Sequence, residues 1–187
     1  MKPIANFENV VEAGERQVLP AGGYVCVIRS AKVQPNKSGN GEHLEIMLDV
    51  AKGEYKGFFE ADYRAQDRED KYWHGIYNQN IPNEESPKYD FQCRFFKRFT
   101  NAVEASNDGY HWAWAEDTLK GKLIGVVFRQ EEKISSAGNQ YIKVIADSVY
   151  SVEKIEQGKY TVPELKRLET APAAAEPEYK DLPDLPF

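Results

Sequence analysis

Residues 42–50, EHLEIMLDV, alternate apolar and polar side chains, with Leu44, Ile46, Leu48 and Val50 on one face and His43, Glu45, Met47 and Asp49 on the other. A period of two predicts a half-buried strand. Residues 23–33, GYVCVIRSAKV, are rich in β-formers and predict a strand before it. Between the two, 34–41 (QPNKSGNG) is punctuated by Pro, Asn and Gly and predicts a loop. After a turn at 53–57, residues 58–64 (FFEADYR) alternate again and predict a third strand, with Phe58 as its exposed ring. Periodicity lapses over 65–90, a long insertion broken by Pro82 and Pro87. Residues 91–106, FQCRFFKRFTNAVEAS, contain no Gly or Pro and predict one amphipathic helix. Phe95, Phe99, Ala102 and Val103, with Phe96 at the margin, form its buried stripe, and Arg94, Lys97 and Arg98 face solvent. Two more strands, 119–130 and 140–152, are joined by a hairpin around Ser135–Asn139.

Three strands, a helix and two strands is the order of an OB fold, so the expected class is mostly β: a five-stranded Greek-key barrel with one helix between strands three and four. The expected organisation is an N-terminal arm at 1–20, the OB-fold domain at 21–168 and a disordered acidic tail at 169–187. That tail holds four of the ten prolines and carries −4 of the net charge of −6, which leaves the body at −2. A near-neutral body can still hold phosphates in a local basic groove, with modest, salt-dependent affinity.

No stretch approaches the roughly 20 apolar residues of a membrane helix, and the N-terminus has acids where a signal peptide is apolar, so the chain is expected to be cytoplasmic. Cys26 and Cys93 sit in apolar patterns without metal-ligand spacing and are expected as free thiols. No metal or cofactor is expected, nor a catalytic residue. Asp62, Asp67 and Asp70 could suggest a metal-dependent nuclease, but they lie in a mixed charge run without His or Cys support.

An OB fold binds oligonucleotides on the face of strands two and three, between the loops joining strands one to two and four to five. Those loops fall at 34–41 and 131–140. The candidate DNA-binding residues on and around this face are Lys37, Tyr55, Lys56, Phe58, Arg64, Arg129, Lys133, Tyr141 and Lys143, with cations to track phosphates and rings to stack bases. Arg29, Lys32, Lys56 and Arg64 could equally form surface ion pairs. Tyr110–Trp114 reads as a hydrophobic plug between helix and fourth strand.

The carboxyl end, Asp181 followed by Asp184-Leu185-Pro186-Phe187, resembles the acidic tip of bacterial single-stranded DNA-binding proteins. That resemblance implies docking of partner proteins through Asp181, Asp184, Leu185, Pro186 and Phe187. The body resembles a phage-encoded family of small OB-fold single-stranded DNA-binding proteins. The resemblance runs over roughly 18–155, through Leu-Pro-Ala-Gly-Gly-Tyr at 19–24, Lys37-Ser38-Gly39, Gly53–Gly57, Phe95–Phe99 and Leu119–Lys122, while 65–90 departs from the pattern. It implies a protein of the host cytoplasm that coats single-stranded DNA with little sequence preference during replication or recombination and recruits partners through its tail. Homo-oligomerisation is left open. The rival expectation is a scaffold that does not bind DNA and acts through its tail or the 65–90 insertion.

Overall fold

The computed structural model describes residues 17–37 and 39–168. In chain order the elements are β1 (Gly22–Pro35), β2 (Glu42–Val50), α1 (Phe58–Ala65), β3 (Ile76–Asn80), α2 (Tyr89–Ala105), a 3₁₀ turn (Glu116–Leu119), β4 (Leu123–Ile134), β5 (Gln140–Tyr150) and α3 (Val152–Glu156). The strands form one antiparallel sheet in the order β3-β2-β1-β4-β5, with α2 between β3 and β4 in the chain. Among the described residues no helix is long and apolar enough to cross a membrane.

β1 is the hub. Its first half, Gly22–Val27, pairs with β4, and Cys26–Pro35 pairs with β2. Register breaks between Ile28 and Ser30 in the β1–β2 pairing, and between Val127 and Phe128 in the β4–β5 pairing. Such irregularities sharpen the right-handed twist. The curled sheet brings residues of its two edge strands, β3 and β5, within 8 Å, Cα to Cα, but no ladder of hydrogen bonds joins them. The closed barrel expected from strand order is therefore replaced by an open, curled sheet.

Inside the curl, Leu44, Ile46, Leu48 and Val50 are all buried as their alternation requires, against Cys26, Ile28, Ile124, Val126, Phe128 and Val149. Leu19, expected in an N-terminal arm, is fully buried in this core, and Gln130 Nε2 donates to its carbonyl at 3.0 Å. From α2, Phe96, Phe99, Thr100, Ala102 and Val103 are buried. The helix is thus turned relative to the expected stripe: Phe96 faces inward and Phe95 outward. Both stripes satisfy helical spacing, and packing selects the one whose Phe96 ring meets Trp112 and Trp114, at 6.2 and 5.9 Å between centroids.

The third strand is not where alternation put it, because residues 58–65 are helix α1. The segment has no β-branched residue, and its Phe, Glu, Ala and Arg tolerate either state. Tertiary contacts decide. Asp49, fully buried at the end of β2, accepts the backbone N–H of Phe59 at 3.0 Å and that of Val50 at 2.9 Å, serving as a remote cap for α1. Gly57, at φ 75°, makes the left-handed turn into the helix. Glu60 and Arg64 pair one turn apart, and Arg29 joins Asp49 at 3.1 Å and Glu60 at 2.6 Å. The true third strand, Ile76–Asn80, comes from the insertion that had no periodicity. Gly75 leads into it in tight contact, since a Cβ there would lie 2.5 Å from the Leu48 carbonyl oxygen and 2.6 Å from the Phe59 ring.

Asp49→Ala would orphan two buried backbone donors and leave Arg29 paired with Glu60 alone. The expected loss is about 3 kcal/mol of unfolding free energy, read by urea denaturation. A loss below about 1 kcal/mol would mean water replaces the carboxylate.

Candidate nucleic-acid interface

The gap between the sheet edges is a cleft of about 400 Å³. Phe58, Phe59 and Asp62 of α1 form one wall with His74 and Ile76, and Tyr141–Ile145 of β5 form the other. Tyr72 and Tyr141 are exposed rings on its lining, with Tyr141 44% exposed. Tyr72 stands edge-on to His74 at 5.3 Å, and Asp62 Oδ2 lies 2.5 Å from His74 Nδ1, which fixes the plane of the imidazole. Lys143, exposed on β5, has no acidic partner among the described residues. The cleft thus presents flat rings beside an ammonium group, the combination that holds bases and phosphates.

Of the sequence candidates, Tyr141, Lys143 and Phe58 meet at this cleft. Phe58 is not the exposed strand ring expected of it: it opens α1, is half-buried, and packs edge-on against Tyr55 at 6.3 Å and Phe59 at 5.3 Å. Tyr55 is likewise half-buried and edge-on to Tyr24 at 5.9 Å. Lys37 and Lys56 are exposed. Lys37 stands on the β1–β2 turn, which Asn36 ties down by hydrogen bonds to the Asn40 carbonyl at 3.0 Å and to His43 Nδ1 at 2.8 Å.

The other cations are engaged. Arg64 pairs with Glu60. Arg129 and Lys133 stand on the β4 stem, not in a loop, because β4 runs to Ile134 and the connection shrinks to 135–139. There Arg129 pairs with Glu131 and, at 3.0 Å, with Asp147, and Lys133 pairs with Glu131 at 2.9 Å. Lys133 and Arg129 together pull the Glu131 carboxyl down to about 2. Arg29, named as a surface ion-pair candidate, is one.

Sequence reasoning did not name Tyr72 and His74 as site residues, because they form a cluster inside the aperiodic insertion at 65–90. It also joined Trp112 and Trp114 in one plug. Trp112 packs on the core, whereas Trp114 is 77% exposed with φ 59°, its indole parallel to the Phe96 ring. Of the nuclease candidates, Asp70 is bound by Arg68 at 2.6 Å, and no group of three or more His, Cys, Asp or Glu gathers around a common point among the described residues. Cys26 is buried and free, with burial pushing its thiol far up, and Cys93 is half-buried and free. The docking residues Asp181, Asp184, Leu185, Pro186 and Phe187 lie outside the described residues, as does the rest of 169–187. No protein-family model and no curated protein matches this chain.

Because Glu131 titrates lower in the folded chain than the usual carboxylate value near 4.3, its pairing stabilises the fold above that pH. The contribution is lost as pH falls toward about 2. Glu131→Gln should therefore flatten the fall in melting temperature between about pH 4.5 and 2; an unchanged acid limb would show that the pairing does not persist in solution.

Proposed function

We propose that this chain binds single-stranded DNA with little sequence preference, in replication or recombination, and recruits partner proteins through its acidic carboxyl tail. The observation that carries the reading is the cleft between β3 and β5, where Tyr72 and Tyr141 offer exposed rings beside Lys143. Strand order supports it: β3-β2-β1-β4-β5, with the outer strands curled toward each other, is the order of an OB barrel opened between its third and fifth strands. In this reading bases stack on the tyrosines, Lys143 and Lys37 meet phosphates, and binding requires no metal, cofactor or catalytic residue. The tail's aspartates would steer toward a basic rim while Phe187 and Leu185 fill an apolar pocket on the partner.

One observation favours the scaffold alternative. Arg29, Arg64, Arg129 and Lys133 are held by acids of the same chain, so these four cations are neutralised.

Fluorescence anisotropy of a labelled dT30 oligonucleotide separates the two. DNA binding predicts association at low salt that weakens as salt rises, and tighter binding by a chain ending at Leu168 if the tail competes for the same groove. No association at low salt leaves the scaffold reading. Tyr141→Ala should weaken dT30 binding by about 5- to 150-fold, the loss of one stacked base at about 1–3 kcal/mol, with the melting temperature unchanged. A matching loss of stability would instead make Tyr141 a packing residue.

A further inference from the structure

α2 has an outer face as distinctive as its buried one. Arg94, Lys97 and Arg98 line a groove of about 710 Å³ with Lys154 of α3, floored by Ala102, Ala105, Val149 and Ser151. Four cations line it and no acid does. This contrasts with Arg29, Arg64, Arg129 and Lys133, each of which is paired with a carboxylate.

Arg94, Lys97 and Lys154 are exposed and have no acidic partner among the described residues. Arg98 is held in place without being neutralised: its Nε donates to the Val149 carbonyl at 3.2 Å and its guanidinium lies 4.7 Å from the centre of the Tyr150 ring. Four positive charges in one groove whose lining has no acid create a local field that favours a polyanion.

Along the same helix toward its N-terminus the cations give way to rings. Phe91 and Phe95, one turn apart, are 59% and 45% exposed and touch each other with centroids 4.5 Å apart. Phe91 also shares a shallow hollow with Pro87, Lys88, Asp90 and Arg94, so it borders the cationic groove, with one acid and one further cation beside it. The spacing Phe91, Arg94, Phe95, Arg98 follows a single helical stripe. Exposed phenylalanines are what a paired duplex would leave unused, because its bases are stacked on one another. A single strand has both a charged backbone and open base faces.

We propose that the outer face of α2, completed by Lys154 of α3, is a second contact for single-stranded nucleic acid, with phosphates in the groove and bases on Phe91 and Phe95. The proposal rests on the single-strand reading above and extends it to a separate surface. β5 links the two contacts: Tyr141 and Lys143 line the cleft at one end of the strand and Val149 lines the groove at the other, about 20–26 Å away at strand rise. One long oligonucleotide following β5 could touch both, and an oligonucleotide of a few bases only one.

The test uses the full chain and labelled dT40, titrated from 50 to 300 mM salt. Replacing Arg94, Lys97 and Lys154 together by Gln should lower the slope of log affinity against log salt by about 2 in magnitude, since each phosphate contact to a single strand contributes about 0.7. Affinity at 50 mM should fall at least about ten-fold. The pair Phe91→Ala and Phe95→Ala should weaken dT40 binding at every salt and leave the slope at its original value, because stacking releases no counterions. All the replaced side chains are exposed, so melting temperatures should stay near that of the natural chain. If the triple Gln variant keeps the original slope and affinity while Tyr141→Ala still weakens binding, the second contact is overturned and the cleft alone carries the function. If the unaltered chain fails to bind dT40 at 50 mM, the single-strand reading itself falls and this extension with it.

Discussion

Asp49 ends β2 with a buried carboxylate that receives two backbone N–H groups, from Val50 and Phe59, and one guanidinium, from Arg29. A charge removed from water persists only where its acceptor capacity is filled, and here the filling groups come from three different elements. The carboxylate thereby ties the start of α1 to the end of β2. With α1 anchored there, Phe59 enters the core against Phe128 at 5.4 Å, Phe58 and Asp62 become the wall of the cleft, and the returning chain is delivered through Trp73 and Gly75 to pair as β3. Trp73 Nε1 and the Leu48 N–H close that junction, on the Leu48 carbonyl at 2.9 Å and the Gly75 carbonyl at 2.7 Å.

The distribution of charge follows from the same placement. α1 carries Glu60 to Arg29 and Arg64, and the β4–β5 stem carries Glu131 and Asp147 to Arg129 and Lys133. Those four cations are therefore compensated where they stand. α2 and α3 line a groove that holds four cations and no carboxylate. A total of −6 for the whole chain conceals this separation, because a sum has no position.

Much of the architecture could be read from one dimension. The alternation of 42–50 located β2 to the residue, and the Gly- and Pro-free run at 91–106 located α2 to within two residues at either end. The pairing of β4 and β5 was legible too, but β4 lies four residues further on than the expected 119–130, at Leu123–Ile134. α1 was not, because eight residues of Phe, Glu, Ala, Asp, Tyr and Arg satisfy a period of two and a period of 3.6 alike. β3 was hidden for the opposite reason: as an edge strand it buries one face only along part of its length, and IYNQN carries its polar residues where no second neighbour requires apolar ones. At the candidate site, Tyr141 and Lys143 were named because they border the loop expected between the fourth and fifth strands, whereas Tyr72 and His74 join them only in the folded chain.

By itself, then, the sequence determined which segments are strongly periodic, the mostly-β class, and the residue types available for stacking and for phosphate contact. Those are properties of neighbours along the chain. The tertiary structure alone decided that Phe96 and not Phe95 turns inward, that Arg29 is bound by Asp49 and Glu60 twenty and thirty-one positions away, and that the sheet curls without closing. It also decided that the cations of α2 and α3 face each other without an acid between them. The physical reason is common to all of these. Burial and ion pairing depend on distances between segments remote in sequence, and each competing local pattern is nearly equal in energy until those segments meet.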